Sequence, residues 1–142
     1  MEVKSNVWIY IENKGGKLIG SRSGHNLITD AGLNYFRDLT GGTVGRADGQ
    51  GVGTGTTAAA AGDTALGALV IKKTIDRRLD SDKVITFQAL VLTTEANGSA
   101  LSEIGLFYGS VLIARALISP VIDKDSSMQL TISHEVTFKY EV

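Results

Sequence analysis

The chain has 142 residues, of which 43% are hydrophobic, with a formal net charge of −1 and no cysteine. That length suits a single domain able to bury roughly two-thirds of its unfolded surface. Acidic and basic residues are mixed without a basic stripe, which argues against nucleic acid or an anionic membrane surface as partner. The missing cysteines exclude a disulfide framework and a thiolate metal site. No apolar run approaches the roughly 20 residues of a transmembrane helix, and the N-terminus shows no signal-peptide core. Seventeen glycines against one proline fit a turn-rich β-protein with one unusual loop.

Residues 3–12 open the chain as a strand through Val7, Trp8, Ile9, Tyr10 and Ile11. Asn13-Lys14-Gly15-Gly16 is a turn signal, and residues 17–21 return as the second arm of a hairpin. From His25 to Leu33 the period changes. Thr29 or Asp30 can cap a short helix near residues 29–39, Leu33, Phe36 and Leu39 form its apolar stripe, and Gly41-Gly42 stops it. Its expected task is to close one end of a sheet core.

Residues 41–62 are glycine-rich, with eight glycines among small or polar residues. A structureless stretch of that length inside a domain is uncommon unless it serves a function or is disordered. Glycine lets a backbone approach another surface closely but costs entropy on ordering. Val44, Val52 and the alanines at 58–61 offer little apolar area to offset that cost. The expectation is therefore an arm that lies on a neighbouring subunit, with Val44, Arg46, Asp48, Val52, Thr54, Thr56 and Thr57 as candidate partner-binding residues. The folded core should then tolerate its removal, because loop length matters little to core stability.

From Asp63 onward the pattern is β. Asp63-Thr64-Ala65-Leu66 is a turn, and residues 69–79 form a strand whose face is interrupted by Arg77. After the turn Asp80-Ser81-Asp82-Lys83 comes a strand at 84–92, apolar on both faces and so central. Residues 101–108 and 111–118 flank Gly109-Ser110 as a tight hairpin, and Ser119-Pro120 bends the chain. Residues 128–142 alternate cleanly. Met128, Leu130, Ile132, His134, Val136, Phe138 and Tyr140 fall on one face, and polar residues on the other. Such a half-wet strand belongs to an antiparallel sheet. The predicted fold is all-β: one antiparallel, jelly-roll-like β-sandwich domain over residues 1–142, with one short helix and one long Gly-rich loop.

Chemistry-bearing motifs are sparse. His25 and His134 have no carboxylate at metal-ligand spacing, and His134 sits on the apolar face of the last strand, where a core histidine is the ordinary reading. No Gly-x-Ser-x-Gly elbow is present. The run Gly49-Gln50-Gly51-Val52-Gly53-Thr54-Gly55 lacks the lysine of a phosphate-binding loop and the surrounding α/β pattern. Asp80 and Asp82 match only a fragment of a calcium loop. Glu103 and Arg115 stand on the two arms of the predicted hairpin, placed for a diagonal inter-strand ion pair. These features predict no catalysis, no cofactor and no metal.

Three blocks together resemble a family of small tailed-bacteriophage virion proteins: Asn26-Leu27-Ile28-Thr29-Asp30-Ala31-Gly32-Leu33, then Gly53-Thr54-Gly55 leading to Asp63-Thr64-Ala65-Leu66, then Leu101-Ser102-Glu103-Ile104-Gly105-Leu106-Phe107. The last continues into Leu112-Ile113-Ala114-Arg115-Ala116 and Ser119-Pro120-Val121-Ile122-Asp123-Lys124. The resemblance implies an all-β, non-enzymatic structural subunit located in a virion. Similar proteins carry an apolar strand just before the Gly-Thr-Gly block; residues 45–51 depart from that, so an arm is expected in its place. A single domain without fibre repeats or a collagen-like stalk favours a capsid cement protein on the shell surface, bound between major capsid subunits and forming a dimer or trimer. A tail-fibre or baseplate component used in attachment is the alternative.

Overall fold

The computed structural model describes residues 2–139. In chain order it contains β1 (Glu2–Asn13), β2 (Leu18–Ile28), α1 (Asp30–Thr40), β3 (Gly49–Gly53), β4 (Leu69–Thr74), β5 (Arg77–Ser81), β6 (Val84–Val91), β7 (Ala100–Tyr108), β8 (Val111–Asp123) and β9 (Met128–Lys139). The strands form a nine-stranded sheet in the order β4-β3-β7-β8-β2-β1-β9-β6-β5. The paired strands are antiparallel throughout. The all-β class with a single short helix is what forms. No helix among the described residues is long and apolar enough to cross a membrane.

The sheet curls so that its two ends meet through one ribbon. β4 and β5 lie at opposite ends of the strand order, yet only Ile75 and Asp76 separate them in sequence. At that point Ile75 N donates to Asp48 O beside β3 (3.0 Å), and Asp76 N donates to Gln88 O of β6 (2.8 Å). The expected single strand over 69–79 is thus two strands, because the ribbon changes partner midway. Arg77, which broke the apolar face, is the first residue after the change.

The core lies inside the curl. Val7 and Ile9 of β1, Leu101 and Ile104 of β7, and Leu130 and Ile132 of β9 are each at most 1% exposed and form one cluster. A second cluster fills the end closed by α1, where Tyr35 meets Phe87, Leu106, Ile113 and Val136. β9 runs between β1 and β6, and its Leu130, Ile132, His134 and Val136 are buried as the alternation predicts. Ser133, on the expected wet face, is also buried, in register with Trp8. Tyr140 lies outside the described residues.

Local signals acted where expected at several points. Asn13 Oδ1 accepts from Gly15 N and Lys17 N and closes the first turn, with Gly16 at φ 81°. Tyr108 and Val111 pair directly across Gly109-Ser110, and Gly109 adopts φ 55°, as a two-residue hairpin requires. Ser119-Pro120 falls where β8 bulges: Leu117 pairs with Glu103, whereas Ile122 pairs with Leu101.

One strand boundary and one helix face differ from expectation. β2 does not stop at Ser21 but continues to Ile28, because residues 22–26 stay paired with β1 and Leu27 and Ile28 then pair with Arg115 and Ala114 of β8. In α1 the N-cap is Thr29, whose Oγ1 accepts from Gly32 N (2.9 Å) and donates to Leu112 O (2.6 Å). The inward positions are Gly32 and Tyr35, with Phe36 half-buried. Leu33 and Leu39 are 53% and 38% exposed. Gly32 sets this rotation: a Cβ there would collide with the Ile113 backbone, so the helix seats its bare side directly on β8.

Candidate functional site

The expected arm does not leave the domain. Its middle is β3, paired on both sides with β4 and β7, and all five residues of β3 are buried. The strand expected to be missing is therefore present, built from glycines. Val52 is 1% exposed and packs in the core rather than on an arm. Val44 packs beside Tyr35 and Phe36, and Arg46 is exposed. Asp48 is buttressed within the domain, its Oδ1 accepting from Gly109 N (3.0 Å). Thr54 is half-buried, and its N donates to Ala68 O (2.9 Å). Thr56 and Thr57 are exposed on the following loop.

The surface that the glycines allow to approach belongs to the chain itself. Gly51 and Gly105 face each other in register. A Cβ on Gly51 would sit 2.9 Å from both Leu69 Cδ1 and Phe107 Cε2, and one on Gly105 would sit 2.9 Å from Leu66 Cδ2. The two bare positions make a slot on the outer face of the sheet, which Leu66 fills against Phe107 and Leu112. Residues 54–68 thereby fold back over β3 as a cover.

A buried carboxylate pins that cover. Glu103 is fully buried, and its Oε2 accepts from Gly55 N (2.6 Å) and Ala68 N (2.7 Å). Its Oε1 accepts from Gly67 N (2.8 Å) and Arg115 Nε (3.0 Å). Burial alone would push the Glu103 carboxyl up, but the three backbone donors and Arg115 outweigh it and hold the group below the usual glutamate value. Arg115 is 2% exposed and also donates to Asp63 Oδ2 (3.1 Å) and Thr57 O (2.8 Å). The pair is diagonal, since Glu103 is in register with Leu117 and Arg115 with Gly105. A carboxylate with four donors is a structural fixture whose charge is already committed.

Inside the curl a second polar group ties opposite walls together. Gln50 of β3 is fully buried. Its Nε2 donates to Phe87 O of β6 (2.9 Å), and its Oε1 lies 2.6 Å from His134 Nδ1 of β9. The amide nitrogen must face the carbonyl, so its oxygen faces the ring, and His134 carries its proton on Nδ1. Burial lowers the His134 pKa to about 3, and the imidazole is neutral. Its Nε2 has no partner among the described residues. His25 is remote from this pair and bonds Asn6 instead.

One exposed apolar surface lies on α1, at Leu33 and Leu39; Leu18 and Ile19 of β2 and Leu69 and Val70 of β4 are exposed elsewhere. One cleft of about 280 Å³ opens between Tyr35, Phe36 and Leu39 of the helix and Val84, Ile85 and Phe138, with Arg46, Asp82 and Lys83 at its rim. A second, of about 300 Å³, is bordered by Val3, Leu33, Arg37 and Thr40. Phe36, Leu39 and Phe138 border both, and the two phenyl rings meet edge-to-face at 5.9 Å. The cover reaches the same helix, because Asp30 N donates to Ala61 O (2.8 Å). Of the expected partner-binding residues, Arg46 adjoins this face and Val44 supports it from beneath. Leu33 and Leu39 were legible as an apolar stripe, but only the contact at Gly32 shows that they point outward.

Among the described residues no group of three or more His, Cys, Asp or Glu is placed to hold a metal ion. Asp82 lies on the rim of an apolar cleft. Chemically the surface offers hydrophobic docking with a mixed-charge rim. Comparison with protein families, with curated proteins and with solved structures finds no match to this chain.

Proposed function

We propose that the chain is a non-enzymatic structural protein of a tailed-phage virion, a cement protein that docks between major capsid subunits and stabilises the shell. The observation that carries this reading is the exposed apolar face of α1 beside a cover locked by Glu103 and Arg115. A preformed face loses little conformational freedom on binding, so more of its contact energy appears as affinity. Leu33 and Leu39 with the two clefts supply the apolar area, and Arg46, Lys83 and Asp82 supply register. The buried ionisable groups support the non-enzymatic half: Glu103 and Arg115 are saturated, and His134 is neutral and enclosed. The phage setting rests on the resemblance of the three sequence blocks. Tail-fibre or baseplate attachment through the same face is the second reading of that resemblance.

Cement proteins act by mass action, adding interface free energy only to the assembled shell, and symmetry multiplies modest contacts. The test is co-sedimentation with purified expanded shells and, separately, with tails. Saturable binding to shells that raises their melting temperature is the expected result. Leu33→Asp should abolish binding while leaving the melting temperature of the free protein unchanged, since Leu33 is more than half exposed. Binding to tails alone would transfer the function to the tail. Undiminished shell binding by the Leu33 variant would remove the α1 face from the account.

A further inference from the structure

A different surface, the outer wall of β1, β2 and β9, has its own chemistry. Val7 and Ile9 point into the core, so Trp8 points outward from the middle of this wall. In register, Trp8 lies between Ser23 of β2 and Ser133 of β9, and Asn6 lies between His25 and Glu135. Tyr10, 38% exposed, lies between Ser21 and Thr131. Every sheet neighbour of the indole is therefore a hydrogen-bonding side chain. Asn6, Trp8, Ser23 and His25 border a shallow depression of about 370 Å³.

The polar groups are also oriented. His25 Nδ1 lies 2.8 Å from Asn6 Oδ1. An amide oxygen only accepts, so the ring donates from Nδ1, and Asn6 keeps its Nδ2 as a donor. On this face Glu135 lies nearest Trp8; Glu12 and Lys4 stand four residues to either side of it on β1, Lys4 paired with Glu2 (3.6 Å), and Arg77 stands three strands away, about 14 Å at the usual strand spacing. That charge pattern disfavours phosphate-bearing ligands. An aromatic ring set among hydrogen-bonding side chains matches a pyranose, which presents a C–H face for stacking and hydroxyls at its rim.

We propose that this wall is a saccharide-binding site, with one neutral pyranose stacked on Trp8 and its hydroxyls taken by Asn6, His25 and Ser23. The site is independent of the α1 face and lies on the side wall, away from the end that the helix closes. It would let a virion-bound subunit hold surface glycans.

Trp8 is the only tryptophan, so its fluorescence reports on the site directly. The probes are maltohexaose, cellohexaose and chitohexaose, with oligo(dT) and dextran sulfate as anionic comparisons. Saturable change with at least one neutral hexasaccharide is expected, and none with the anions. By calorimetry, Trp8→Ala should weaken that binding by about tenfold or more, and Trp8→Phe should retain part of it. Asn6→Ala and His25→Ala should each weaken it at an unchanged melting temperature, which keeps the test open should the Trp8 variants fold poorly. Failure of all three sugars at millimolar concentration would overturn the proposal. So would oligo(dT) binding in their place, or full sugar affinity in the Asn6 and His25 variants.

Discussion

At Glu103, four hydrogen bonds and one ion pair converge on a carboxylate withdrawn from water. Glu103→Gln keeps the shape but turns an amide N–H₂ towards backbone donors and leaves Arg115 with only Asp63 as countercharge. Breaking a buried pair from one side costs about 3–5 kcal/mol, so the melting temperature should fall by roughly 10 °C or more; calorimetry checks this. His134 predicts a pH effect of definite sign. An unfolded chain takes up a proton near pH 6.5, whereas the buried ring does so only at about 3. Stability therefore falls as pH drops from 6.5 towards 3, by up to about 1.4 kcal/mol per pH unit from this residue. Glu103, with its lowered pKa, adds its own loss only below the usual glutamate range. Between pH 6.5 and 5 the slope thus belongs to His134, and urea titrations of His134→Gln should show it flattened.

Among the elements, β3 and α1 show how much of the fold was legible in the sequence. β9 and the β7–β8 hairpin were readable because their information is local: alternation over a dozen residues in one, a two-residue turn in the other. β3 was not readable. Gly49, Gly51 and Gly53 have no side chains to alternate, its partners β7 and β4 are separated from it in sequence, and the Leu66 that covers it follows a loop. The same glycines that signalled close approach gave no sign of whose surface approached. The Glu103–Arg115 pair could be anticipated from the hairpin, but not the backbone amides of Gly55, Gly67 and Ala68 that complete it. Deleting residues 47–60 is accordingly expected to abolish folding, opposite to the expectation for a free arm, because it removes Gln50 and Val52 and strips the edge of β7; circular dichroism would show this. Gly32→Ala is a finer probe. Helix propensity favours alanine by about 1 kcal/mol, but the clash with Ile113 should override it and destabilise by about 1–3 kcal/mol, measurable by chemical denaturation.

For the whole molecule, curling joins distant elements into one unit: the ribbon at Ile75 and Asp76 links the two ends of the sheet, Gln50 ties β3 to β6 and β9, and α1 closes one end by packing Tyr35 into the cluster that holds Ile113. The proposed docking through α1 would then need no segment to order on binding. Hydrogen exchange on the free protein, and again with expanded shells present, tests this most directly. In the free protein the amides of residues 49–53, with those of Gly55, Gly67 and Ala68, should be as protected as the β9 amides. Adding shells should newly protect only α1 and its immediate surroundings. Rapid exchange of residues 49–68 in the free protein, slowing only when shells are added, would contradict the account and restore an arm that folds onto its neighbour.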